Sequence, residues 1–122
     1  MHVHVFTEED FKIFVNYIRH FTEKLNLTDW NIEFEHSQIG DGVSATCWYD
    51  TQSRSCLFKL TRSTEGDYNL NTNVAKIALH EVLHLLLGNL LHIAAVTQDD
   101  TKGLTLSEEH AVINKLLKFM EY

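Results

Sequence analysis

Proline is absent from the 122 residues, cysteine appears twice and glycine five times. The lack of proline excludes polyproline linkers and Pro-rich docking tails. Two cysteines are too few for a disulfide-dense scaffold or a cysteine zinc cluster. Basic residues are also scarce: ten Lys and Arg stand against 17 Asp and Glu, a formal charge of −7. That balance opposes phosphate backbones and anionic lipid surfaces, so neither a nucleic acid nor a membrane is an expected partner. No internal repeat, low-complexity tract or linker interrupts the chain. A hydrophobic content of 44% with 22% charged residues fits one globular domain over residues 1–122 with a single core.

Long apolar runs are nearly absent as well. The one exception, Val74 to Val96, carries Lys76, His80, Glu81, His84, Asn89 and His92, too many polar groups for a lipid-exposed span. The opening MHVHVFTEED has neither a basic n-region nor an apolar h-region. The expectation is a soluble, cytoplasmic protein. In that reducing setting Cys47 and Cys56, spaced to face each other across a hairpin, are expected as buried thiols, with a redox pair as the alternative.

What is present reads as alternating helices and strands. Thr7 is an N-cap candidate ahead of acidic residues, and Phe11, Phe14, Val15, Ile18, Phe21 and Leu25 then recur at helical spacing, predicting an amphipathic helix over about 8–25. WNIEFEH alternates Trp30, Ile32 and Phe34 with polar residues, the period of a half-buried strand. SQIGDG is a loop, and VSATCWY and SCLFKL form a hairpin through DTQSR. The polar TRSTEGDYNLNTN leads to an N-cap at Thr72 or Asn73, a helix from about Val74 to the neighbourhood of Gly88, and a last helix from near Ser107. This is an α+β pattern with a small, mainly antiparallel sheet.

The helix from Val74 holds the strongest chemical signal. HEVLH, residues 80–84, sits among apolar residues on nearly every side, where two imidazoles and a carboxylate are costly to bury unpaired. Residues four apart share a helix face, so His80 and His84 can turn two nitrogens to one ion, while Glu81 is rotated aside. Zinc at such a pair lowers the pKa of a water and polarises a carbonyl, and a neighbouring carboxylate can take up the proton and deliver it to a leaving amine. Composition alone gives about 0.04 chance occurrences of this pattern in the chain. The plainer reading makes both histidines hydrogen-bonded core residues, and leaves Glu81 without a reason.

On HEVLH, and on the order of leading helix, strand WNIEF, hairpin and buried helix, the sequence resembles the zincin metallopeptidases. It looks most like minimal single-domain phage and prophage peptidase-like proteins, and more distantly like minigluzincins and the ImmA/IrrE peptidase domains. The resemblance implies a zincin-like fold, a Zn2+ ion at His80 and His84, Glu81 as general base, a peptide or protein substrate, and host cytoplasm if the chain is phage-encoded. It also implies a substrate lying along an edge strand before the metal helix, here SCLFKL.

A third ligand is needed. The metzincin spacing would ask for Gly and His where Leu87 and Leu90 stand, and His92 would lie far along the axis if the helix continued. A carboxylate from a later helix directs attention to SEEHAVINKLLKFM. There Glu109 shares a stripe with Val112, Ile113, Leu116 and Met120, all apolar, which makes it the better-placed ligand. His110 is the alternative, because HAVIN is similar to a signature of the ImmA/IrrE relatives. Glu108 and Glu109 could equally complement the helix dipole. His36 and Tyr68 are candidates to stabilise an oxyanion. His2 and His4 share a strand face opposite Val3 and Val5; such a pair could chelate a metal, and a solvated face is the expectation.

The leading functional expectation is a zinc-dependent hydrolase that cleaves peptide bonds. A catalytically silent zincin-like module that binds or regulates a host protein is the alternative. An endoribonuclease of the YbeY type would need Gly at Glu81 and His at Leu90, and the acidic charge opposes an RNA substrate.

Overall fold

Thr7 starts the first helix as its sequence predicts. Its hydroxyl accepts from the Asp10 N–H at 3.1 Å, and the Asp10 carboxylate accepts from the Thr7 N–H at 2.8 Å, closing a capping box. The helix, α1 (Glu8–Lys24), buries Phe14, Ile18 and Phe21 along one face. It ends where Asn26 turns to φ +58°, with Leu27 N–H donating to Thr22 O at 2.7 Å and Asn26 N–H to Glu23 O at 3.1 Å. This paired-bond ending satisfies two carbonyls that the helix would otherwise leave open.

The structure, a computed structural model, describes residues 2–66, 72–97 and Ile113. Around α1 it arranges β1 (His2–Val5), β2 (Asn31–His36), β3 (Ala45–Asp50), β4 (Ser55–Leu60), β5 (Ser63–Gly66) and a second helix, α2 (Val74–Thr97). The result is an α+β fold with two small, mostly antiparallel sheets. One pairs β1 with β5; the other has the order β2-β4-β3, with β2 parallel and β3 antiparallel to β4.

Register sets the inner face of the larger sheet. Ile32, Cys56 and Tyr49 form one rung, Phe34, Phe58 and Cys47 the next, and His36, Leu60 and Ala45 the third. Cys56, Phe58 and Leu60 on the central strand are buried, and they join Phe14, Ile18, Leu79, Val82, Leu83 and Leu85 in one core. Ile113, helical and fully buried, belongs to it too, in agreement with the inward stripe predicted through that residue.

Several expectations need correction. SCLFKL is β4, the central strand, with both its edges occupied by β2 and β3, so no substrate strand can pair with it. The segment after it is not all loop. Ser63–Gly66 pairs with the distant β1, a non-local partner that local patterning does not announce, and Thr61 and Thr64 there accept hydrogen bonds from the Ile39 and Gly42 N–H groups. The two thiols do not face each other, since Cys47 opposes Phe58 and Cys56 opposes Tyr49, and no disulfide joins them. Burial pushes the Cys56 thiol up to about 12. On β1 the faces are reversed: Val3 and Val5 are exposed, while His4 is half-buried, edge-on to Phe6 at 4.5 Å.

The longest correction concerns α2, which does not stop near Gly88 but runs on to Thr97. A Cβ at Gly88 would fall inside the ring of Tyr49 on β3. The glycine therefore marks a close approach of strand to helix rather than a helix end. Beside it Arg54, in the β3–β4 turn at φ +53°, donates to Asn89 Oδ1 at 3.1 Å, covers the Trp30 ring at 4.8 Å and pairs with Asp29. These contacts hold α2 against the β3 side of the sheet. By length and composition Val74–His92 could cross a membrane, yet half of that window is buried inside the protein, as befits a core helix.

Candidate metal centre

Asn73 sets the phase of α2. Its side-chain oxygen accepts from the Lys76 N–H at 3.1 Å and its carbonyl from the Ile77 N–H at 2.9 Å, as an N-cap should. From that start Ile77, Ala78, Leu79, Val82, Leu83 and Leu85 are buried, and the polar groups of HEVLH are drawn in with them. Glu81 is 7% exposed and His84 9%, while His80 is half-buried.

The two imidazoles converge. Nε2 of His80 and Nε2 of His84 lie 3.2 Å apart, with the rings edge-to-face at 4.9 Å. At that separation a neutral pair shares one proton between the two nitrogens, or both lone pairs meet a single cation. Zinc with nitrogen ligands at about 2.0–2.1 Å and near-tetrahedral angles holds those nitrogens roughly 3.3 Å apart. The spacing fits the ion to within about 0.2 Å, the tolerance expected of a metal site.

Glu81 points from a different azimuth, about 100° round the helix from His80. Burial pushes its carboxyl up to about 8, and no hydrogen bond or ion pair reaches it among the described residues. Desolvation is the only cause; a cation nearby would act in the opposite direction.

The remaining candidates separate clearly. Glu109, His110, Glu108 and Tyr68 lie outside the described residues. Among the described residues no cluster of three His, Cys, Asp or Glu side chains forms. Continuation of α2 removes His92 as a ligand, since it stands about 12 Å beyond His84 along the helix axis. His36 lies at the end of β2, stacked on Phe11 of α1 at 5.0 Å, with Nδ1 3.5 Å from a Glu8 oxygen. That contact is too long for a hydrogen bond, and both ring nitrogens are buried without one among the described residues. Its packing on α1 gives no support to an oxyanion role.

Sequence reasoning missed Tyr49. His80, His84 and Gly88 follow one another at i, i+4 and i+8, so the Tyr49 ring seated on Gly88 stands one turn past the histidine pair on a neighbouring azimuth. An isolated glycine inside an apolar helical run was the available signal. Comparison of the chain with protein-family models, with curated proteins and with solved structures found no match.

Proposed function

We propose that the protein is a zinc-dependent hydrolase of the zincin type, a metallopeptidase acting on peptide bonds. The observation that carries the reading is the 3.2 Å approach of the His80 and His84 Nε2 atoms on a buried helix. These two side chains, with Glu109 or alternatively His110, would hold the Zn2+ ion. When bound, it would polarise a substrate carbonyl and lower the pKa of a water at neutral pH. Burial of Ile113 fits the apolar stripe that the sequence shares with Glu109, and equally the one it shares with His110, so it leaves both as candidates.

The chain's own groups supply the proton handling. Glu81 is the general base: its carboxylate accepts a proton from water and passes it to the amine released when the peptide C–N bond breaks. Its buried position keeps bulk water from taking that proton. His80 and His84 keep their nitrogens convergent because the buried stripe on either side of them fixes the azimuth of α2. Because β4 is paired on both sides, a substrate has no access to SCLFKL; α2 packs beside β3, which is an edge strand of that sheet among the described residues.

Metal content measured on untagged protein tests the reading. About one zinc per chain, lost in His84→Ala and in either Glu109→Ala or His110→Ala, is the expected result. Glu81→Gln should keep the zinc and abolish hydrolysis. A metal-replete preparation without zinc would remove the hydrolase reading. Zinc without any peptide hydrolysis, unchanged by Glu81→Gln, would favour the silent binding module instead.

A further inference from the structure

At the opposite side of the sheet from β3, the outer strand β2 borders a groove whose other wall is α1. Two hollows of 430 and 500 Å³ run along it and share Arg19 and Phe34. Trp30, Ile32 and Glu23 line the first; Phe11, Lys12 and Val15 line the second. The Arg19 guanidinium stands over the Phe34 ring at 5.4 Å, between the two. We infer that this groove docks an extended peptide segment that adds to β2 as a further strand and presents an acidic side chain to Lys12 and Arg19.

The backbone supplies the first part of the argument. Asn31 N–H donates to Arg54 O at 2.8 Å and Ser37 N–H to Leu60 O at 3.3 Å, so the odd-numbered residues of β2 face β4. By alternation the N–H and C=O groups of Ile32, Phe34 and His36 point away from the sheet. Among the described residues nothing hydrogen-bonds them. An open ladder of this kind is a template for strand addition.

Charge selects the occupant. In a chain of net charge −7, Arg54, Lys59 and Arg62 each have a carboxylate partner, whereas Lys12, Arg19, Lys24 and Lys76 have none among the described residues; of these four, Lys12 and Arg19 line the groove. Both stand at the groove beside apolar surface, where a carboxylate would gain from reduced solvation. Alternate side chains of an added strand fall about 7 Å apart on the helix side, one for each hollow. An acid suits the end with Lys12. An apolar side chain suits the end with Trp30 and Ile32, where Glu23 would repel a second acid. A second copy of the chain fits badly, because antiparallel pairing of two β2 strands about Phe34 sets Glu33 against Glu35.

Titration of the full chain with capped heptapeptides tests this, one alternating threonine with aspartate and valine, the other carrying lysine for aspartate. The aspartate peptide should bind at least tenfold more tightly at low salt, and it should slow amide exchange at Ile32, Phe34 and His36. Arg19→Glu and Lys12→Glu, both on the exposed side of α1, should each reverse the order of the two peptides. Equal binding of both peptides, binding of neither, unchanged exchange at those three amides, or dimerisation through β2 without peptide would overturn the assignment. Removal of zinc should leave the aspartate affinity unchanged, which separates this site from the histidine pair.

Discussion

The two helices solve burial in different ways. α1 hides one stripe, turns its other faces to water and ties off both ends with side-chain and backbone caps. α2 is covered on most sides, yet it takes a carboxyl and two imidazoles into the interior with it. Stability explains every buried residue of α1. It does not explain Glu81, whose carboxyl is desolvated with no partner among the described residues, a cost of about 1–3 kcal/mol for a neutral polar group. Packing alone gives no reason for a carboxyl at this position, and the proposed role of Glu81 as general base would supply one.

Substitutions can break this contrast. The largest effect belongs to the α1 stripe: Ile18→Ala should cost about 2–5 kcal/mol in denaturant unfolding, whereas Asn16→Ala on the wet face should stay within about 0.5 kcal/mol. On α2, Gly88→Ala improves helix propensity but drives a methyl into the Tyr49 ring, so it should destabilise by about 1–3 kcal/mol. Combined with Tyr49→Ala, that penalty should shrink, and a double-mutant cycle measures the coupling.

The third substitution changes sign. Chelator-treated Glu81→Gln should be more stable than the parent at pH 8, as thermal melts would record, because the amide has no proton to lose on unfolding. The folded carboxyl, pushed up to about 8, keeps its proton where the unfolded one, near 4.3, has released it. Parent stability therefore falls as pH rises between those values, and the difference should vanish toward pH 4. An unchanged gap across that range would mean that the folded protein does not hold the Glu81 carboxyl protonated.

How much of this was legible follows the same division. α1 could be read nearly to the residue, because its cap, period and acidic first turn are local. HEVLH was equally plain, since two histidines four apart declare their own geometry. The end of α2 was misread because Gly88 answers to Tyr49, thirty-nine positions away, and only the folded register shows it. Assigning SCLFKL to an edge failed for a related reason: alternation gives a strand two faces but says nothing about its neighbours. The β1–β5 pairing likewise joins segments some sixty residues apart.

The smallest effect concerns how the helices use residues that relax the backbone. α1 stops at Asn26, in the left-handed region at φ +58°, where a short polar side chain is tolerated and glycine is best. Asn26→Gly relieves that conformation but enlarges the freedom of the unfolded chain, and the two effects nearly cancel, leaving a change within about 0.5 kcal/mol. Asn26→Ala keeps the strain without the tolerance and should cost about 1 kcal/mol. α2 inverts the pattern, with glycine inside the helix and no gain from it except room for Tyr49. If Asn26→Ala proved harmless while Gly88→Ala did not, the ending of α1 would rest on its paired backbone hydrogen bonds alone, and only α2 would depend on a special residue.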